Sequence, residues 1–254
     1  MSVLVQGITV RFGKRRVLDA LSLPELHAGE VTVLAGPNAA GKSTLLRAMA
    51  QLIPHQGTVM LDGADLRRMP AVDRARQVGF MPQALPSGSS LIALETVIAA
   101  LRAGKTLPAH QADAAAMAVM DKLGIAALAL EPLDALSGGQ RQMVSLAQAI
   151  VRDPRLLLLD EPTSALDLAR QVRLLSELRR LAAEGRVVVA VLHDLALAAQ
   201  WADRIVLIHG GHVHAQGRPD QVLTPALLAQ VYGVQARVER CSRGRLMVMI
   251  DGEI

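Results

Sequence analysis

Val31-Thr32-Val33-Leu34-Ala35-Gly36-Pro37-Asn38-Ala39-Ala40-Gly41-Lys42-Ser43-Thr44-Leu45-Leu46 is the stretch that decides the fold of this 254-residue chain. Val31–Ala35 is a short apolar run of strand length, ending in Gly36. From Lys42 onward, Leu45, Leu46, Met49 and Ala50 recur at helical spacing, which predicts a helix to about Leu52. A buried strand that breaks at glycines and opens directly into a helix is the start of an α/β unit.

The rest of the chain continues that pattern on both sides. Val3–Val10 and Val17–Leu23 read as strands before it, and Gly57–Leu61 as a strand after it, closed by the turn Asp62-Gly63. Val78–Met81 is a short strand ending at Pro82. From about Leu91 to Arg152 the pattern turns helical, with Ala112–Leu123 stopped by Gly124 and a second helix over Gln140–Val151. Strands return at Leu156–Leu159, Val187–Leu192 and Arg204–Ile208, with the helix Leu168–Ala183 among them. His209-Gly210-Gly211-His212 reads as a hairpin turn. Beyond Gln216 lies a small tail of helical and strand-like pieces. Alternating strands and helices argue a mostly parallel sheet with right-handed crossovers, and the helical stretch sits inside it as an insertion.

Composition narrows the class. Apolar residues make up 51% of the chain, but its aromatics are Phe12, Phe80, Trp201 and Tyr232 alone, so the core rests on aliphatic side chains. Cys241 has no cysteine partner within the chain, which fits a reducing compartment. The N-terminus alternates like a strand and lacks the pattern of a signal peptide. No run of about 18 uncharged apolar residues occurs, and Glu95 interrupts the best candidate, Leu91–Leu101. The net charge is +4, but the arginines are dispersed and base-stacking aromatics are scarce, which argues against a nucleic-acid partner.

Three elements carry chemistry. Gly36–Ser43 matches G-x-x-x-x-G-K-[S/T] between a strand and a helix, the context that motif requires. Glycines let backbone N–H groups close around phosphate oxygens, and the helix N-terminus adds its dipole. Lys42 suits the β- and γ-phosphates, and the Ser43 hydroxyl suits Mg²⁺. Next, Leu156–Leu159 delivers Asp160 and Glu161 to the C-terminal end of a buried strand, where ligands gather in such sheets. One carboxylate can hold Mg²⁺ and its neighbour can polarise an attacking water. Read alone, the pair could be an ordinary acidic strand end. Third, Leu136-Ser137-Gly138-Gly139-Gln140 precedes a helix and offers N–H groups and a hydroxyl to an anion, or simply a serine N-cap. A second phosphate-binding loop invites a nucleotide held by another copy of the chain.

In this order the three elements resemble the ATP-binding subunits of ABC transporters, over nearly the whole chain. The resemblance implies a P-loop NTPase fold of class α/β, with a RecA-like, mostly parallel core sheet, an N-terminal antiparallel β subdomain and an inserted α-helical subdomain. It implies one domain over residues 1–254, with the insertion at about 84–153 and a C-terminal extension at about 217–254. It carries ATP over to Gly36, Pro37, Asn38, Ala39, Ala40, Gly41, Lys42, Ser43 and Thr44, and to Ser137, Gly138, Gly139 and Gln140 from a second copy. It makes Glu161, His193 and Lys42 catalytic, with His193 as the γ-phosphate switch. Gln83 becomes the glutamine that senses Mg²⁺ and the transmembrane partner. Ser43, Gln83 and Asp160 form the Mg²⁺ set, Asp167 lies in the loop crossing the dimer interface, and Phe12 stacks on adenine. Blander readings stand beside these: Asp167 and Asp194 as helix caps, His193 as a strand-end histidine, Phe12 as core. Ala39 stands where the family usually has Gly, a change that is costly only if the backbone there needs positive φ.

The same resemblance implies a head-to-tail homodimer sandwiching two ATP molecules, bound to two separate permease subunits on the cytoplasmic face of the inner membrane and served by a substrate-binding protein. Gly217–Thr224 and Val231-Tyr232-Gly233-Val234, with Leu136–Gln142, are similar to importers of ferric siderophores, haem and cobalamin, with ferric siderophore the first choice. A soluble ABC ATPase of translation or DNA repair is the alternative from another class. A degenerate regulatory domain is a further one, against which Glu161 and His193 argue. His209, His212 and His214 could suggest a metal site, but their irregular spacing suits a polar hairpin better.

Overall fold

Buried and less buried residues alternate along Ser2–Phe12, the pattern of a strand with one face on a core. The computed structural model describes residues 1–85, 90–104 and 107–254. They divide into two compact units, one of Met1–Arg67 with Arg179–Ile254, the other of Arg68–Leu178.

In the first unit, β1 (Ser2–Phe12), β2 (Arg15–Leu21), β3 (Leu26–His27) and β4 (Val31–Ala35) lead into α1 (Lys42–Met49). Strands β5 (Gln56–Leu61) and β6 (Ala64–Asp65) follow, joined by the Asp62-Gly63 turn. An antiparallel sheet runs in the order β2-β1-β5-β6, with β3 also paired to β1. Val3, Val5, Ile8 and Val10 of β1 alternate into its core. All five residues of β4 are buried, as two covered faces require.

The second unit begins with α2 (Ala71–Gln77) and β7 (Val78–Met81), followed by α3 (Ala93–Arg102), α4 (Ala109–Lys122) and α5 (Gly138–Ile150). Strand β8 (Leu156–Asp160) pairs parallel with β7, and α6 (Leu168–Ala183) leads out. Helices α3, α4 and α5 pack on one another, and α5 also packs on β7. Two arginines tie the end of α3: Arg152 donates to the Ala100 carbonyl at 2.7 Å, and Arg76 to that of Gly104. Glu95, which breaks the apolar run in the sequence, accepts the Ile92 N–H at 3.0 Å at the start of α3.

Back in the first unit come β9 (Val187–Val191), α7 (Leu195–Trp201), β10 (Arg204–His209) and β11 (His212–Gly217). Strand β4 pairs parallel with both β9 and β10, and β11 folds back antiparallel on β10 through Gly210-Gly211. Helices α8 (Pro219–Val222) and α9 (Pro225–Tyr232) precede the terminal hairpin of β12 (Val234–Arg240) and β13 (Leu246–Glu253). Among the described residues, no helix is long and apolar enough to cross a membrane.

Candidate functional site

The first unit builds a tight, glycine-cornered loop where β4 ends. Gly36 has φ 143°, and a Cβ there would run into the Ile208 carbonyl of β10. Gly41 has φ 102°, and a Cβ would stand 2.6 Å from Leu18 Cδ2. Both positions therefore require glycine. The loop is thus pinned at its two ends by β10 and β2. Lys42 is only 5% exposed, and its Nζ donates to the carbonyls of Gly36 at 2.6 Å and Pro37 at 2.8 Å. Its ammonium therefore spans the mouth of the loop. Ser43 and Thr44 lie half-buried in the first turn of α1, which holds no acidic residue to oppose an incoming anion. Ala39 sits at φ 61°, so the condition under which a side chain there is costly is met.

Two further expected residues belong to this unit. Phe12 ends β1 opposite Arg15 with 56% of its surface exposed, so core packing does not account for it. His193 is exposed just beyond β9. Asp194 caps α7, accepting from Ala196 N at 2.7 Å and Leu197 N at 3.0 Å. His209 and His214 meet edge to face, with ring centroids 6.0 Å apart, across the β10–β11 hairpin.

The second unit gathers the acidic and signature residues. Asp160 is fully buried at the end of β8. Glu161 follows at φ 51°, another left-handed non-glycine. Gln83 Nε2 donates to Glu161 Oε2 at 2.9 Å, joining two residues that lie 78 apart in sequence. Gln142 Nε2 donates to the Glu161 carbonyl at 2.9 Å, and Ser164 Oγ to the same carbonyl at 3.1 Å. Gln142 was missed as a site residue. The signal for it was a polar residue, 5% exposed, on the face of α5 that otherwise buries Met143, Leu146 and Ile150.

Ser137 forms a reciprocal cap on α5. Its Oγ accepts from Gln140 N at 3.3 Å, and Gln140 Oε1 accepts from Ser137 N at 2.8 Å. Gly138 and Gly139 lie against the turn before α6: a Cβ on Gly139 would stand 3.0 Å from the Ala165 carbonyl. Asp167 caps α6, accepting from Arg170 N at 2.8 Å and pairing with its guanidinium at 3.1 Å.

Ser43, Gln83 and Asp160 offer hydroxyl, amide and carboxylate oxygens, hard donors of the type Mg²⁺ takes. Among the described residues, no cluster of three or more His, Cys, Asp or Glu could hold a metal by itself.

A glycine-cornered loop on a helix N-terminus, a buried lysine in it, and an Asp-Glu pair at the end of a buried strand define a P-loop nucleotide hydrolase. The particular family follows from comparison. Residues 18–164 match the family model described as ABC transporter. A hemin import ATP-binding protein, HmuV, of Rhodococcus jostii is 43% identical over 235 residues, covering 92% of this chain and 80% of that protein. The achromobactin transport ATP-binding protein CbrD of Dickeya dadantii is 36% identical over 247 residues, covering 93% and 90%. Among solved structures, a metal-chelate type ABC transporter in an inward-facing conformation superposes with a TM-score of 0.82 at 26% identity, covering 98% of this chain and 96% of that one. The dimeric cassette MJ0796 gives 0.76 at 26% identity, covering 85% and 98%. The chain belongs to the ATP-binding subunits of ABC transporters, and it is an ATPase of the P-loop α/β fold.

Proposed function

We propose that the chain hydrolyses ATP to drive import of an iron chelate, a ferric siderophore or haem, through a separate permease. Relatives named for hemin and for achromobactin support that cargo class. The tail that resembles such importers is, locally, a run of helix starts. Gln221 accepts from Arg218 N at 2.9 Å, Pro219 and Pro225 open α8 and α9, and Thr224 accepts from Leu227 N at 3.3 Å. Its link to cargo rests on resemblance.

In this reading Gly36–Thr44 of one copy and Ser137–Gln140 of a second enclose each ATP, and Phe12 stacks on its adenine. Lys42 and the α1 N–H groups neutralise charge growing on the phosphates. Mg²⁺, taken by Ser43, Asp160 and Gln83, would supply further charge neutralisation. Glu161 polarises a water whose oxygen attacks the γ-phosphorus. The bond to the ADP oxygen breaks, and the water proton passes to the carboxylate. His193 contacts the γ-phosphate, and Asp167 lies at the dimer seam. The helical insertion at about 84–153 receives the permease, one for each of two subunits, on the cytoplasmic side of the membrane. A substrate-binding protein delivers the chelate.

The observation that carries the hydrolytic reading is the Gln83–Glu161 bond. It places the carboxylate that follows the buried Asp160 in the grip of a glutamine from a distant loop. Glu161→Gln removes the charge and keeps the shape. ATP binding should persist while steady-state hydrolysis falls at least about 10²-fold. Unchanged hydrolysis would overturn the role of Glu161. Reconstitution with the neighbouring permease tests the cargo reading. ATP turnover should rise with an iron chelate and its binding protein, whereas stimulation by nucleic acid and not by a permease would favour the soluble ABC class.

A further inference from the structure

A cleft of 480 Å³ lies wholly within the first unit, at the end of β4 opposite the glycine loop. Glu30, just before β4, marks that end, and α8, the end of α7 and the turn of the terminal hairpin complete the walls. Among the described residues, none assigned to the nucleotide site lines it. Four arginines do: Arg179, Arg218, Arg240 and Arg245. Their guanidiniums stay protonated at any working pH. Glu30, Asp203 and Asp220 line the cleft as well, but the protein already engages all three. Asp203 Oδ2 accepts from Val31 N at 2.8 Å. Glu30 faces a fifth arginine, Arg204, at 3.7 Å. Asp220 accepts from Arg240 at 2.9 Å, and Arg218 Nε stands 3.6 Å from its other oxygen. The arginines are less fully matched. Arg179 donates to the carbonyls of Trp201 at 3.2 Å and Gln200 at 3.0 Å, and lies over the Trp201 ring, 5.2 Å from its centroid. Those neutral partners fix its guanidinium without cancelling its charge. Arg218 and Arg240 share one carboxylate, and Arg245 makes no ion pair among the described residues. Positive charge is therefore in excess in a concave site, where it attracts anions most strongly.

We propose that this cleft binds a small polyanion, whose carboxylate or phosphate groups pair with Arg245, Arg218 and Arg179, at a site separate from the nucleotide loop. A guanidinium fork matches either kind of oxyanion through two parallel hydrogen bonds. The cleft has the volume of a small-molecule site. Arg179 is held in place by its carbonyl partners before any ligand arrives, and Arg245 has no ion pair to give up. Arg245 lies in the turn of the terminal hairpin and Arg218 immediately before α8, so a bound anion ties these two parts of the tail together. The site goes beyond ATP hydrolysis and stands on its own residues, whatever Gly36–Thr44 binds.

The test is calorimetric titration of the full chain with two probes, tricarballylate and inorganic pyrophosphate, without Mg²⁺ and with ADP present to fill the nucleotide loop. At least one probe should bind with a Kd of about 0.1–1 mM. Binding of tricarballylate alone marks a carboxylate ligand, binding of pyrophosphate alone a phosphate ligand, and either supports the site. Arg245→Ala and Arg218→Ala should each raise that Kd about 3- to 10-fold, the range of one partly exposed charged pair. Arg243→Ala removes the same charge from the same hairpin turn but does not line the cleft, so it should leave the Kd unchanged. An equal rise in all three variants would mean unspecific attraction to a basic tail and would overturn the proposal. So would a wild-type Kd in Arg245→Ala, or no binding of either probe up to about 10 mM. Failure of ADP to bind would count against the nucleotide-loop reading alone, because the tricarballylate titration does not depend on it.

Discussion

At Ala39 the backbone lies at φ 61°, where an L-residue costs about 1–2 kcal/mol relative to the right-handed region. The sequence shows an alanine at a position where the family usually has Gly. Whether that matters depends on a dihedral that only the folded loop specifies. Ala39→Gly removes the cost but frees the unfolded chain. The net expectation is a gain of about 0.5–1 kcal/mol in denaturant unfolding of the nucleotide-free protein. A loss would show that loop contacts already offset the strain. Ser137 poses the opposite problem: it caps α5 and is exposed, so the cap by itself does not decide between its two readings. Ser137→Asp separates them. Aspartate caps as well as serine, so stability should change by less than about 0.5 kcal/mol. Its charge should repel phosphate and lower ATP turnover at least about tenfold. Cys241 is a third residue whose behaviour the tertiary structure decides. Backbone N–H groups of Arg243 and then Arg245 hold its thiol below the ordinary value, with the Arg245 charge adding to them. Alkylation by iodoacetamide should therefore half-saturate at a lower pH than for an unperturbed cysteine thiol.

Among the elements, those with a strong period were legible from the sequence and those without one were not. Helix α6 spans Leu168–Ala183 as read, because Leu174, Leu175, Leu178 and Leu181 mark one buried face. Helix α2 was missed: its seven residues bury no side chain, so no apolar stripe existed to find. Strands β3 and β6 are two residues each, too short for any alternation to register. The terminal hairpin carries a prediction of its own. Arg237 donates to both oxygens of Asp251, at 2.8 and 2.9 Å. Those hydrogen bonds come first, and the Arg237 charge adds to them, in holding the Asp251 carboxyl below its usual range. A depressed folded-state pKa means that the stabilisation is present above the unfolded value of about 3.9 and is lost as pH falls through the folded value. Amide exchange in β12 and β13 should therefore quicken below about pH 4 in the wild type. In Asp251→Asn it should already be quick at neutral pH, and an exchange rate equal to wild type would remove this pair from the account.

For the whole molecule, the decisive question is which copy supplies which loop. If each ATP lies between Gly36–Thr44 of one copy and Ser137–Gln140 of the other, Lys42→Ala and Ser137→Asp subunits, each strongly impaired alone, should complement when mixed. The mixed dimer then keeps one site with both loops intact, and ATP turnover should reappear at up to about half the wild-type rate, given one intact site of two. A chain that completed its site alone would show no recovery.

The sequence by itself determined the alternation of strands and helices, the glycine loop, the Asp160-Glu161 pair and the Ser137-Gly138-Gly139 cap, because each rests on local periodicity or contiguous spacing. Only the tertiary structure decided what reaches those residues from afar. Gln83 on Glu161 and Gln142 behind it are contacts between residues 78 and 19 positions apart. Hydrogen bonds of that separation leave no local pattern, since nothing in a side chain's neighbours along the chain says which distant backbone will meet it.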